Sequence, residues 1–523
     1  MSDDRARGRL ADQVTRWRET RRSLEESVLP LATSLDGRRF EFQASLHGLE
    51  LQAGGYAVLE DDTTRRLGQV IDVQRMQADG PQLGLGDADG TGRPDLVASV
   101  TLRAAHGTGV ILDPEQGGAF HDVRIRPAQP DEVVAWLQRI RPNRAALRVG
   151  DLLLAPGVPL ALDAGGFDRH SFLCGQSGSG KTYSLGLVLE RLLVETRLRL
   201  VILDPNSDYV RLAETRASAS PKLVERYRET ARGIVVRRAG SADSPLRVRF
   251  GQLEPAARAA LLRLDPIQHR EEYALLSELF GGADQSGGRL QGMDDLLTTD
   301  CPEARQLSLR AANLGVGDWG LWPRGRGGSV VDDLDDADIR CLVVDLGSLP
   351  GPSEQAVVAE AVLAALWQRR DRREPVLVVV DEAHNVCPSD PADAVTALAT
   401  EHAVRIAAEG RKFGLYLLVA SQRPQKVESN VVSQCDNLLL MRMNSVADLG
   451  LIEQVFSYVP PSLLKRAVAF RQGEALVAGK IASHPCFVRF GNRFTEEGGA
   501  DVPTEWATAS RQPEVRHREG RPS

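Results

Sequence analysis

SFLCGQSGSGKTYSLGLVLERLLVE, residues 171–195, runs from a short apolar strand through a glycine-rich turn into an amphipathic helix. Its centre, GQSGSGKT at 175–182, fits the spacing G-x-x-x-x-G-K-[ST] of a phosphate-binding loop, in the strand–loop–helix context that the motif requires. Each position has a chemical task. Gly175, Gly178 and Gly180 let the backbone wrap a phosphate without Cβ clashes. The loop from Gly175 through Gln176, Ser177, Ser179 and on to Tyr183 presents N–H groups at a helix N-terminus, where an anion binds. Lys181 is expected to neutralise the β- and γ-phosphates of ATP, and the Thr182 hydroxyl to bind Mg²⁺.

Such a loop needs an acidic strand end as partner. VLVVVDEAH, 376–384, supplies one: an apolar strand followed by Asp381, expected in the Mg²⁺ shell, and Glu382, expected to polarise the attacking water. LYLLVASQRP, 415–424, is another buried strand with a polar end, and Gln422 is placed to sense the γ-phosphate from a neighbouring strand. Asp204 ends LRLVILD, a strand expected beside the phosphate-loop strand or close to it. Its carboxylate either positions water or metal, or caps the turn that follows. Ring ATPases also take an arginine from the next subunit. Arg411, in AAEGRKFG, is the favoured candidate because it precedes the Gln422 strand at an element boundary; Arg442, in LLLMRMN, is the alternative.

From about residue 165, the runs SFLCG, LRLVILD, RCLVVDL, VLVVVDE, LYLLVAS and LLLMRM alternate with amphipathic segments. Strands this apolar are covered on both faces, as in a parallel α/β sheet. A stretch with helical period, about 212–336, interrupts the alternation and is expected to be a helical insertion within a core spanning 151–496. Upstream, 39–150 changes to period two. FEFQASLHGLEL, YAVLEDD, RLGQVIDVQRM, DLVASVTLRAA, TGVILD and FHDVRIRPA read as six short strands of a small antiparallel β-barrel. Residues 1–38 are assigned to an N-terminal helical segment. In its helix at 5–29, Leu10, Val14, Trp17, Leu24 and Val28 fall on 3-4 spacing, suited either to packing on its own domain or to a short coil between subunits. The Pro-, Arg- and Glu-rich tail 497–523 is expected to be flexible.

The chain has 523 residues, of which 42% are hydrophobic and 26% charged, values close to those of soluble globular proteins. No apolar run approaches the roughly 18 residues a membrane span needs, and the first residues carry no apolar signal region, so a cytoplasmic, membrane-free protein is expected. Six cysteines without a C-x-x-C pair speak against zinc clusters and disulfides. The net charge of −7 excludes a uniformly basic nucleic-acid coat, though not a ring whose pore alone is basic.

The succession GQSGSGKT, ILDPNSDY, VVDLGSL, VVVDEAHN, EGRKFGL, ASQRP and GEALVAGK, with FDRH at 167–170 before the phosphate-loop strand, resembles the HerA branch of the HerA/FtsK superfamily over roughly residues 40–490. The resemblance implies a HAS β-barrel, a RecA-like P-loop core with a helical insertion, and a homohexameric ring. It also implies an ATP- and Mg²⁺-dependent translocase or helicase on double-stranded DNA. The implied partner is a NurA-like nuclease in end processing, or a Sir2-like or other effector in phage defence. A ring that scaffolds such an effector with little translocation is the alternative. Carried over by motif, the phosphate lysine is Lys181, the Mg²⁺ ligands Thr182 and Asp381, the water-activating acid Glu382 and the sensor Gln422. The trans arginine is Arg411 and the acid two strands in is Asp204, with Asp208 where many members have Glu.

Overall fold

The computed structural model describes residues 2–27, 30–46, 49–84, 97–113, 118–140, 145–280, 292–299, 301–323 and 327–499. Helix α1 (Ser2–Ser27) leads into six strands, β1 (Leu31–Ser34), β2 (Arg39–Ser45), β3 (Tyr56–Glu60), β4 (Arg65–Gly84), β5 (Val97–Ile111) and β6 (Phe120–Pro127). They close an antiparallel barrel in the order β1-β2-β5-β4-β3-β6. Alternation fills it: Phe40, Phe42 and Ala44 of β2 point inward while their neighbours are exposed. The two rings lie over Gly109 and Gly107 of β5, where an added Cβ would come within 2.1 and 2.2 Å of Phe40 and Phe42.

That packing corrects the sequence reading. DLVASVTLRAA and TGVILD are one strand, because Gly107 sits in the ladder under an aromatic ring instead of making a turn. The sixth strand is LATS, 31–34, which the sequence reading left in the helical segment 1–38; four residues are too few to show a period. The seam residues Leu10, Leu24 and Val28 lie outside the described side chains.

Helix α2 (Pro130–Ile140) connects the barrel to an eleven-stranded sheet. In chain order its first members are β7 (Ala146–Leu152), β8 (Pro159–Asp163), β9 (Ser171–Cys174), α3 (Lys181–Glu195), β10 (Arg199–Asp204), α4 (Pro221–Arg232) and β11 (Ile234–Arg238). Four helices follow, α5 (Pro255–Leu261), α6 (Arg270–Phe280), α7 (Met293–Thr298) and α8 (Pro302–Asn313). Then come β12 (Cys341–Asp345), α9 (Pro352–Gln368), β13 (Val376–Val380), α10 (Ala394–Glu409), β14 (Leu415–Ser421), α11 (Ser429–Val432), β15 (Asn437–Met441), α12 (Val446–Val455), α13 (Pro461–Leu464), β16 (Glu474–Ala478) and β17 (Cys486–Phe490). The sheet order is β11-β12-β10-β13-β14-β9-β15-β16-β17-β7-β8. The first seven of these strands are parallel and the last four pair antiparallel. The parallel strands β10, β12 and β13 are almost wholly buried, as their continuous apolar runs require.

Three boundaries differ from the sequence expectation. β7 crosses residue 150 and pairs with β17 and β8, so the chain joins the large sheet before 151. The stretch 212–336 contains β11, a parallel partner of β12, in addition to its helices. IVVRR escapes a period reading because it is an edge strand ending in two arginines, with only Ile234 fully covered. The tail is described only to Gly499, and there the Gly498 N–H donates to the Asp208 carbonyl at 2.9 Å; residues 500–523 lie outside the described residues.

The barrel sits on the β16–β17 side of the sheet. Tyr56 Oη and His484 Nε2 are 2.8 Å apart, and Gln69 Nε2 donates to the Pro485 carbonyl at 2.8 Å. Among the described residues, no helix is long and apolar enough to cross a membrane.

Candidate nucleotide site

The parallel strands deliver their C-terminal ends to one edge, the place where open α/β sheets bind ligands. β9 ends at Cys174, the glycine loop follows, and α3 opens at Lys181. Gly178 and Gly180 have φ of 72° and 92°, which residues with a Cβ rarely adopt. A Cβ on Gly175 would lie 2.7 Å from the Met441 Cβ and 2.8 Å from the Ser179 Oγ. Gly180 provides no side-chain cap, so the first-turn N–H groups of α3 stay open towards the loop. Ser179 Oγ is buried without a hydrogen-bond partner among the described residues.

β14 lies between β9 and β13, so Gln422 and the Asp381–Glu382 pair arrive beside the loop from adjacent strands. Lys181 Nζ is bonded to Asp381 Oδ1 and lies 3.1 Å from Glu382 Oε1. Burial works to lower the Lys181 pKa, but the Asp381 and Glu382 carboxylates outweigh it and hold the ammonium above its ordinary range. Gln422 Nε2 donates to Glu382 Oε1 at 2.6 Å, and His384 Nδ1 stands 3.4 Å from Glu382 Oε2. Glu382 itself has φ of 41°, a left-handed conformation that a non-glycine residue holds only when its surroundings fix it. The Tyr209 hydroxyl donates to Asp381 Oδ2 at 2.9 Å.

Of the two roles the sequence left open for Asp204, the structure shows the turn cap. β10 is separated from β9 by β13 and β14, so its strand is not beside the phosphate-loop strand. Its buried carboxylate accepts N–H bonds from Asp208 at 3.0 Å and Tyr209 at 2.8 Å, capping the turn. Burial first, offset by those bonds and reinforced by Asp208 and Asp381, raises its pKa to about 7. Asp208 faces the network electrostatically: burial and then the Asp381 charge raise its carboxyl to about 6, while Lys181 pulls it down.

The two arginines separate. Arg442 follows β15 and lies against the glycine loop of its own chain, with Nη2 3.4 Å from the Gly178 carbonyl and its own carbonyl accepting from Gln176 N–H at 2.9 Å. Arg411 precedes β14 at the opposite edge of the sheet, where Nη1 donates to Asp436 Oδ2 at 3.1 Å. Nothing brings it to its own chain's loop. FDRH proves structural: Phe167 is buried, and His170 Nδ1 accepts the Leu417 N–H at 2.9 Å. Tyr209 is a site neighbour that the sequence reading did not name, and Arg442 was named there only for a role in a neighbouring subunit. The aromatic residue directly after Asp208 in ILDPNSDY was the available signal for Tyr209.

Residues 147–301 match the family described as "Helicase HerA, central domain". A curated protein of Saccharolobus solfataricus, "DNA double-strand break repair helicase HerA", is 24% identical over 471 residues, 84% of this chain and 87% of that one. The chain is similar to HerA proteins over these stretches. The Sulfurisphaera tokodaii protein of the same name is 29% identical over 195 residues, 35% of this chain, and the matched stretch spans little more than a third, 38%, of that relative's length. Among solved structures, VirB4 of Thermoanaerobacter pseudethanolicus is 18% identical, with a TM-score of 0.48, covering 68% of this chain and 98% of that one. The chain thus joins a closed barrel to a mainly parallel sheet that carries the phosphate-loop motif GQSGSGKT.

Proposed function

We propose that this HerA-like ATPase is a Mg²⁺-dependent motor that moves double-stranded DNA through a homohexameric ring. The observation that carries the reading is the buried network of Lys181, Asp381, Glu382 and Gln422 beside the glycine loop. The names of the curated relatives, DNA repair helicases, support the DNA substrate.

The donor set fits the cation. The Thr182 hydroxyl and the Asp381 carboxylate are hard oxygen ligands of the kind such an ion takes. The open first turn of α3 and the unpartnered Ser179 Oγ fit phosphate oxygens. When bound, Mg²⁺ neutralises charge developing on the transferred phosphoryl group. The chain's own groups do the rest. Lys181 exchanges its two carboxylates for the β- and γ-phosphates. That exchange frees Glu382 to accept a proton from the attacking water, while Gln422 holds the Glu382 carboxylate in place and reads the presence of the γ-phosphate. Asp204 keeps the 205–209 turn closed, so that Tyr209 stays on Asp381.

Arg411, remote from its own loop, is suited to serve the site of a neighbouring subunit, which is why the active unit is oligomeric. A nuclease of NurA type, or a Sir2-like or other defence effector, is the partner this motor would drive. The test is an ATPase titration with plasmid DNA at low and moderate salt, with and without the product of the neighbouring gene. Stimulation by DNA that weakens steeply with salt upholds the motor, since phosphate contacts release counterions. Absence of stimulation at both salts points to the effector scaffold instead.

A further inference from the structure

Away from the nucleotide network, Glu254, Glu360 and His402 bring three potential ligand atoms within 4.8 Å of one another. They come from three separate elements. Glu254 precedes α5, the first helix of the inserted set; Glu360 is in the middle of α9, and His402 in the middle of α10. Glu360 is 0% exposed and His402 2%. None of their bonds involves a residue of the glycine loop or of its acidic partners.

The spacing is wrong for direct bonding and right for a shared centre. His402 Nε2 stands 3.4 Å from Glu254 Oε2 and 3.6 Å from Glu360 Oε1, longer than good N–H···O bonds. Ligands about 2.0–2.1 Å from a tetrahedral ion lie about 3.3–3.4 Å from one another, close to the two distances from His402, and all three ligand atoms lie within 4.8 Å. Both Glu360 carboxylate oxygens are buried without a hydrogen-bond partner among the described residues. A buried carboxylate left in that state is costly, and proteins resolve it by pairing or by coordinating a metal. The neighbouring cation does not pair it: Arg258 directs its Nη groups to the carbonyls of Gly251, Leu253 and Phe280. Gln368 Nε2 donates to Glu254 Oε1 at 3.2 Å, which fixes that carboxylate with Oε2 towards His402. Support of a ligand from behind is how metal sites are oriented.

We propose that Glu254, Glu360 and His402 hold a divalent cation of the Zn²⁺ class, with water as fourth ligand, and that the ion clips the inserted helices to the α9–α10 layer. Two carboxylates and a neutral imidazole suit a borderline transition ion better than Mg²⁺, which favours all-oxygen octahedra. The site is structural: it ties the start of α5 to α10, on which α5 packs, and to α9, which packs on α10.

The full-length protein, stripped with chelator and returned to Mg²⁺ buffer, is titrated with Zn²⁺ alone. Bound metal is counted by elemental analysis and affinity taken from calorimetry. One Zn²⁺ per chain is expected in the wild type and in Lys181→Ala. In Glu360→Gln and His402→Gln affinity should drop by more than the about 10–100-fold typical of lost supporting partners. Co²⁺ substitution should give tetrahedral d–d absorption in the wild type that His402→Gln lacks. Saturating Zn²⁺ should raise the melting midpoint by at least about 2–4 °C in the wild type only. No stoichiometric uptake by folded wild type, or uptake unchanged in both variants, overturns the site. Should either buried variant fail to fold, Glu254→Gln decides. Weakened Zn²⁺ binding with native circular dichroism upholds the site, and unchanged affinity overturns it.

Discussion

The two edges of the parallel sheet carry the same kinds of charge and use them differently. At the C-terminal edge Lys181 meets Asp381 and Glu382 with side chains 4%, 0% and 5% exposed. At the N-terminal edge Arg169 and Arg411 both meet Asp436, at 3.4 and 3.1 Å, with the Arg411 and Asp436 side chains 41% and 47% exposed. Lys181–Glu382 and Arg411–Asp436 are both 3.1 Å apart, so distance does not rank these two pairs. Solvent does. A desolvated pair is costly to break because one buried charge is left uncompensated, whereas an exposed pair is worth about 0–1 kcal/mol. The C-terminal edge also holds strain in Glu382, which the N-terminal edge lacks at Asp436. Under the proposed function the first edge exchanges its partners for a ligand and the second meets another subunit.

The comparison can be broken by substitution at either edge. The largest effect is expected at Lys181→Ala, which removes phosphate neutralisation and should take ATP turnover to background. Glu382→Gln should lower kcat by about 10²–10⁴-fold while a fluorescent nucleotide still binds, because only water activation is lost. Turnover by Glu382→Gln at the wild-type rate would remove Glu382 from its role. Asp381→Ala leaves Lys181 with Glu382 as its one carboxylate partner and strands the Tyr209 hydroxyl, and should cost about 1–3 kcal/mol in urea melts without nucleotide. The matching change at the other edge, Asp436→Ala, should stay within about 0.5 kcal/mol in the same melts. An equal cost at both edges would erase the distinction drawn from burial.

A pH effect sharpens it further. Asp204 and Asp208 have folded pKa values raised to about 7 and about 6 from an ordinary 3.8. Between about pH 4 and 7 the folded chain therefore binds more protons than the unfolded one, and their contribution to stability falls as pH rises through that window. Thermal melts at pH 5 and pH 8 without Mg²⁺ should show this loss, and Asp204→Asn should flatten it while keeping an acceptor for the turn. Asp204→Ala, which removes the acceptor, should cost about 1–2 kcal/mol at either pH. The smallest effect on stability is expected at Arg411→Ala, again within about 0.5 kcal/mol. Its ATPase should nonetheless fall in the assembled protein, and mixing with Lys181→Ala subunits should restore part of it. ATP hydrolysis by strict monomers in mass photometry would remove the trans role.

The sequence determined what is written in contiguous residues. Gly178 and Gly180 are needed where φ is positive, Lys181 and Thr182 follow at fixed spacing, and the buried strands announce themselves as unbroken apolar runs. Those signals are local, because backbone freedom and two-sided burial act on neighbours in the chain. Only the tertiary structure decided what depends on lateral placement. It put β14 between β9 and β13, so that Gln422 reaches Glu382, and set β10 on the far side of β13, so that Asp204 caps a turn while Tyr209 touches Asp381. It assigned Arg442 to the loop and Arg411 to the far edge, and recruited LATS and IVVRR as strands although each is too short to carry a period. It alone brought Glu254, Glu360 and His402 together from positions up to 148 residues apart (402 minus 254). The order of strands in a sheet is set by crossovers and by which faces must be covered, and neither leaves a mark in the residues of any single strand.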